Sequence, residues 1–253
     1  SLHDALPIYE AWAQPPGLIA LTFDDGPGPY TEHLLDELAA RGVHVTFFMV
    51  GRNTTGIFKH LPKRMLKEGH QLASHSYKHA WLTRYGTNGL KDDLARTNEA
   101  LKDAADADLP FMLRPPYGSV NSKVKTYADA PLILWSVDPY DWKYRDAGIV
   151  SQNVIDSAKD GDIILLHDIH ETSVEAALII IDELQARGFE FVTVAELARR
   201  KGAAAENGVV YRSFRGETVA EAPIAPRVIV SECGDGYRVL IQSTDGAPVW
   251  CSI

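Results

Sequence analysis

Along the chain, short apolar runs rich in β-branched and aromatic residues alternate with longer stretches whose apolar positions recur every three or four residues. The short runs predict strands over 18–23, 43–50, 71–74, 111–114, 132–137, 162–166 and 189–194, because four to eight such residues bounded by turn formers mark a buried strand. The longer stretches predict helices over 30–41, 57–69, 89–108, 120–130, 147–159 and 172–187, with a last one over 195–201. Gly42 and Gly188 follow arginines where two of these helices should stop, since glycine adopts the left-handed turn that ends a helix.

Strands that each lead into a helix predict parallel pairing with right-handed crossovers, and therefore either a doubly wound sheet or a closed barrel. Polar residues stand at the C-terminal ends of the first, third, fourth, fifth and sixth strands. A barrel gathers all those ends at one rim, whereas an open sheet offers a ligand only its switch point, so an α/β barrel of seven strands is expected. Pro15-Pro16-Gly17 sets an N-terminal extension, 1–16, apart from the barrel, 17–202. Beyond it, short alternating runs at 209–214, 228–230, 237–241 and 249–253, separated by Gly-Asp-Gly and Asp-Gly, predict a small antiparallel β appendage over 203–253.

With 253 residues, 45% of them hydrophobic, the chain is long enough for one ordinary core plus an appendage. Its net charge of −9 argues against nucleic acid or an anionic membrane as the main partner. No apolar run reaches the roughly 18 residues of a membrane span, and a single, unpartnered chain is expected. The N-terminus lacks the basic start and apolar core of a signal peptide. It begins at Ser1, as a mature or trimmed exported chain does. The only cysteines, Cys233 and Cys251, are compatible with a bridge across the appendage or with two reduced thiols.

Five of the strand ends carry candidate chemistry. The first delivers two adjacent carboxylates, Asp24 and Asp25, into a Gly-Pro turn. After the third, His75 and His79 lie four apart, so one turn of helix would present both imidazoles on one face to a single ion. One of the two aspartates can complete a three-ligand site while the other faces the bound water, and spacing alone does not say which. Arg114-Pro115-Pro116-Tyr117-Gly118 ends the fourth strand; the arginine can pair bidentately with a carboxylate, and a backbone amide of the stiff turn can donate to an oxyanion. Asp138-Pro139-Tyr140-Asp141-Trp142 sets aromatic rings, which can stack on a sugar, beside acids. His167, in Leu165-Leu166-His167-Asp168, suits general-acid work if an aspartate raises its pKa, with Asp141 the candidate partner. The remaining histidines, His3, His33, His44, His60, His70 and His170, read as structural or solvated.

As an ordered set these five motifs closely resemble those of the polysaccharide deacetylases with a NodB homology domain, carbohydrate esterase family 4, over roughly residues 17–200. The resemblance implies a distorted (β/α)7 barrel with a divalent metal, zinc first and cobalt or manganese as alternatives. It implies Asp24 as catalytic base, with Asp25, His75 and His79 as metal ligands and Arg114 holding Asp24. The Tyr117 backbone amide would serve the oxyanion, Asp141 would tune His167 as general acid, and Trp142, Leu165, Pro115 and Tyr140 would contact substrate. The implied reaction is removal of N-acetyl groups from β-1,4-linked N-acetylglucosamine chains of the chitin type, in a secreted or cell-envelope setting of bacterial kind. The same machinery would serve acetylxylan or peptidoglycan. A glycan-binding module without turnover and an iron oxygenase rank below these readings, because no motif position is replaced and the βα repeat suits a barrel hydrolase.

Overall fold

A computed structural model describes residues 17–216, 227–233, 236–242 and 248–252. Strand β1 (Leu18–Asp24) is followed by α1 (Thr31–Arg41), β2 (Thr46–Met49), 3-10 turns at Gly51–Thr54 and Gly56–Phe58, α2 (Leu61–Lys67), β3 (Gln71–Ser74), α3 (Thr87–Ala105) and α4 (Ser122–Tyr127). Next come β4 (Leu132–Ile133), α5 (Asp141–Tyr144), α6 (Ala147–Ser157), β5 (Asp162–His167), α7 (Glu171–Ala186), β6 (Glu190–Phe191), α8 (Val194–Arg200) and β7 (Val210–Tyr211).

Every residue of β1 is buried. Ile19, Leu21 and Phe23 pack with Leu34, Leu35 and Leu38 of α1 and with Ile180, Ile181 and Leu184 of α7. Leu18 and Ala20 alternate to the opposite face, among Phe48, Ala73, Ile133 and Ile163. Burial on both faces is why this strand reads as an unbroken apolar run.

All pairings around β1 are parallel: β2 pairs with Thr22–Asp24, β5 with Ile19–Asp24, and β6 with the N-terminal residues Leu18 and Ile19. The order is β3-β2-β1-β5. Isolated parallel bridges, Ser74 to Leu113, Leu113 to Leu132 and Val137 to Ile164, carry the circuit from β3 back to β5. The result is a distorted α/β barrel whose C-terminal strand ends share one rim.

The weak arc departs from the sequence expectation. The strand expected over 111–114 contributes the bridging residue Leu113, because Pro110 and Pro115 flank it and supply no ladder N–H. The strand expected over 132–137 is two residues plus a bridge at Val137. There the Ser136 Oγ accepts the Ile163 N–H at 3.1 Å and bends the strand away from regular pairing. Nor does a helical turn form between His75 and His79; that segment is a loop in which Ser76 (φ 61) and His79 (φ 56) are left-handed.

The chain divides into two compact units at residues 217 and 218. Residues 203–216, expected to open the appendage, lie with the first unit: β7 pairs parallel with β4, Ser213 bridges Asp162, and Phe214 is buried. The second unit is an antiparallel meander of β8 (Arg227–Cys233), β9 (Gly236–Gln242) and β10 (Pro248–Ser252). Cys233 lies across from Gly236 and Cys251 across from Val239 on the opposite edge of β9. Their backbones therefore stand more than two strand spacings, over about 9.6 Å, apart, farther than a disulfide spans. Among the described residues no helix is long and apolar enough to cross a membrane.

His70 supplies a pH-dependent part of the stability. Its Nδ1 accepts the Val45 N–H at 3.2 Å, and burial pushes its pKa down from 6.5 to about 4. The fold therefore favours the neutral ring. Stability is complete above the unfolded value and falls as pH drops from about 6.5 toward 4. Between pH 7 and 5 this one group should contribute a loss of about 2 kcal/mol. Denaturant titrations at both pH values should show His70→Gln losing about that much less than the parent over the same interval.

Candidate active site

β1 ends by placing its two carboxylates in different company. Asp24, 3% exposed, turns toward Arg114, whose Nη1 donates to its Oδ1 at 2.6 Å. Asp25 follows in the left-handed conformation (φ 72), and its Oδ1 lies 3.2 Å from His79 Nε2 and 3.5 Å from His75 Nε2. Gly26 gives the turn room, since a Cβ there would collide with the carboxylate of Asp168.

The His75 ring is fixed by its other nitrogen. Nδ1 donates to the Arg114 carbonyl at 2.6 Å, which leaves Nε2 with its lone pair toward Asp25. Burial pushes the His75 pKa down to about 3, holding the ring in the neutral, ligating form. Asp25 Oδ1 is buried and has no hydrogen-bond partner among the described residues. A buried carboxylate oxygen facing two imidazole nitrogens calls for a cation, and the ligand atoms of the three residues lie within 4.8 Å of one another. Two ligands at zinc bond lengths subtend about 3.4 Å in a tetrahedral site, close to the spacings of Asp25 Oδ1 from the two histidines. The three residues fit a divalent metal.

Arg114 is completely buried, and each of its three nitrogens donates, in four hydrogen bonds altogether. Besides Asp24, Nη1 donates to Thr22 Oγ1 at 2.8 Å, Nε to the Ile133 carbonyl at 3.1 Å and Nη2 to the Leu134 carbonyl at 3.1 Å. The pairing with Asp24 is thus through one nitrogen, not bidentate, because the fork is shared with the carbonyls of the bent β4 segment. Burial pushes the Asp24 carboxyl above its ordinary value while the Arg114 guanidinium opposes that rise. Its second oxygen lies 3.6 Å from His75 Nε2, at the edge of the three-residue cluster.

Across the site, Asp141, 1% exposed, accepts the His167 backbone N–H at 2.8 Å on one oxygen and the ring Nδ1–H at 2.8 Å on the other. Burial alone would push His167 down, but the hydrogen bond and charge of Asp141 outweigh it and raise its pKa to about 9. The ring's Nε2 then stands 4.0 Å from Asp25 Oδ2.

A cleft of about 470 Å³ is lined by Asp24, Asp25, His75, His79, Tyr117, Trp135, Asp138, Trp142, Leu165 and His167. Eight of these ten belong to the motif residues assigned roles from the sequence. Pro115 is buried in its turn and does not line the cleft, and Tyr140 lines a neighbouring groove. Tyr117 is left-handed (φ 63), its ring stacked on Trp81 at 4.2 Å and set edge-on to His79 at 4.6 Å. Trp135, Trp81 and Thr22 were missed by sequence reasoning. Trp135 had a usable signal, an aromatic at the polar end of an expected strand; Thr22 and Trp81 act through contacts that only the fold creates.

An Asp-His-His cluster beside a general acid–base pair, at the C-terminal rim of a parallel α/β barrel, suits a metal-dependent hydrolase. The chain belongs to the polysaccharide deacetylase family, whose family model matches residues 13–131. It is 36% identical over 208 residues to a peptidoglycan-N-acetylglucosamine deacetylase of Bacillus cereus, across 76% of this chain and 94% of that protein. It is 43% identical over 186 residues to the peptidoglycan-N-acetylglucosamine deacetylase PgdA of Listeria monocytogenes, across 72% of this chain and only 39% of that longer protein. A family 4 acetyl xylan esterase from Clostridium thermocellum, solved with a cobalt ion, superposes with a TM-score of 0.74 at 31% identity, across 79% of this chain and 100% of that one. Enzymes of this family depend on a divalent metal.

Metal analysis of the purified protein should find one divalent ion per chain. Asp25→Ala, His75→Ala and His79→Ala should each weaken binding by at least about 100-fold in calorimetry, more than the loss of an outer-shell partner costs. Asp24→Asn should keep the ion. Full occupancy in His79→Ala would contradict the assignment.

Proposed function

We propose that this chain is a metal-dependent hydrolase that removes N-acetyl groups from β-1,4-linked N-acetylglucosamine units and releases acetate. The observation that carries the reading is the pair of proton-transfer groups flanking the Asp25-His75-His79 cluster. Asp24 is held by Arg114 on one side, and His167 by Asp141 on the other.

A divalent cation held by those three residues, with zinc the expected ion and cobalt or manganese acceptable to the same donors, supplies Lewis-acid activation of water and of the acetyl carbonyl. Asp24 takes the proton of the attacking water through the oxygen that Arg114 leaves open, as the water oxygen bonds to the carbonyl carbon. The Tyr117 backbone N–H donates to the carbonyl oxygen as it gains charge. His167, protonated through Asp141, gives its Nε2 proton to the amine nitrogen as the carbon–nitrogen bond breaks. Trp142 and Leu165 wall the acetyl methyl from water.

Chitin and peptidoglycan share the N-acetylglucosamine unit. The sequence motifs put chitin-type chains first, while the relatives at 43% and 36% identity are named for peptidoglycan, which favours the cell-wall polymer and an exported, cell-envelope setting. A second reading, hydrolysis of an acetyl ester on xylan, is favoured by the esterase relative and needs no change in the residues above.

Acetate release from N-acetylglucosamine tetramers, peptidoglycan and acetylxylan should rank the polymers. On the preferred one, Asp24→Asn and His167→Ala should each lower the rate by about 10²–10⁴-fold. Asp141→Asn should cost less than His167→Ala, because the ring remains. Release that survives Asp24→Asn undiminished would refute the mechanism.

A further inference from the structure

One buried acid beside the site takes no part in the proposed reaction. Asp168, completely buried, follows His167 at the end of β5. The ladder of β1 with β5 ends at Asp24 and His167, so Asp168 leaves β5 just as Asp25 leaves β1 in its left-handed conformation.

The two turns that follow interlock. A Cβ on Gly26 would collide with the Asp168 carboxylate, and one on Gly28 with the Ile169 side chain. The Thr31 hydroxyl, also fully buried, donates to Asp168 Oδ2 at 2.5 Å and accepts the Gly28 N–H at 2.8 Å. The Thr31 N–H returns to the Gly28 carbonyl at 3.2 Å. On the β2 side, Asn53 Nδ2 donates to the Asp25 carbonyl at 2.8 Å, and the Val50 N–H to the Gly26 carbonyl at 3.0 Å. A left-handed aspartate persists where its surroundings over-determine it, and these contacts bracket Asp25 from both neighbouring strands.

The Asp168 side of the bracket is the costly one. A carboxyl taken out of water needs partners for its oxygens, yet Asp168 Oδ1 has no hydrogen-bond partner in any other described residue. An apolar side chain there would avoid that cost but could not accept from Thr31.

We propose that Asp168 is a positioning residue for the metal site: acting through Thr31 and Gly28, it fixes the turn over 25–28 so that Asp25 Oδ1 faces His75 and His79. This rests on reading those three residues as the ligands of a divalent cation, and it adds to them a residue that touches neither ion nor substrate.

Zinc affinity, measured by competition with a chromophoric chelator and set beside the denaturant stability of the metal-free chain, separates positioning from packing. Thr31→Val removes the hydroxyl and keeps the shape, whereas Asp168→Ala removes the acceptor. Each should weaken zinc binding by about 10- to 100-fold, the scale for a residue standing behind a ligand. The double variant should bind about as the weaker single does, because both changes break one relay, and fully additive losses would overturn it. Thr31→Ser, which restores the hydroxyl, should bind zinc as the parent does. His79→Ala is the reference for loss of a ligand. If it loses zinc while Thr31→Val and Asp168→Ala bind as the parent does, whatever their stability, the positioning role is overturned and the ligand assignment stands. Should Asp168→Ala not fold, Thr31→Val against Thr31→Ser decides alone. If His79→Ala binds zinc as tightly as the parent, the ligand assignment falls and the positioning role with it.

Discussion

The buried contact between Arg114 and Asp24 is the constraint on which the site depends. A guanidinium taken out of water costs several kcal/mol unless its donors are met. Here the Ile133 and Leu134 carbonyls, the Thr22 hydroxyl and the Asp24 carboxylate take four of its five, with the Phe48 ring at 3.9 Å. The same residue's carbonyl takes the His75 Nδ1 proton. One buried arginine therefore sets both the orientation of the proposed base and the tautomer of a proposed ligand. The exposed pair of Arg199 with Glu196, at a similar 2.7 Å, carries no such consequence because water screens it.

The backbone pays attention to the same place. Among the described residues eight non-glycine positions have positive φ, and five of them, Asp25, Ser76, His79, Tyr117 and Tyr140, fall within the motif segments. Such conformations persist where surrounding contacts over-determine them. The loop from His75 to His79 is over-determined in this way: Gly51 N–H donates to the Ser76 carbonyl, Arg52 N–H to the Tyr77 carbonyl, and Tyr77 N–H to Asp93 Oδ1, each at 3.0 Å. Convergence of the two imidazoles comes from this web and not from helical spacing.

Much of this was legible in the sequence. The buried β1 run, the long amphipathic helices and the polar strand ends all followed from period and position, because burial on two faces or one leaves a readable pattern. The arc between β3 and β5 was not, because prolines and the Ser136 hydroxyl replace ladder bonds one at a time and leave the apolar pattern intact. Residues 203–216 misled because small residues suggest a linker, while Gly208 N–H in fact donates to the Ala130 carbonyl and returns the chain to the barrel. At the site, the residue types pointed to a metal hydrolase. The proposed division of labour between Asp24 and Asp25 did not follow from them, since adjacent identical residues carry no spacing signal; in the fold Asp24 contacts Arg114 and Asp25 faces the two histidines.

The most direct test of the account is anomalous diffraction at the metal edge from crystals grown with zinc. The account predicts one peak bonded to Asp25 Oδ1, His75 Nε2 and His79 Nε2, with Asp24 outside bonding distance and still on Arg114. A peak bonded to Asp24, or one located away from these three residues, would contradict it.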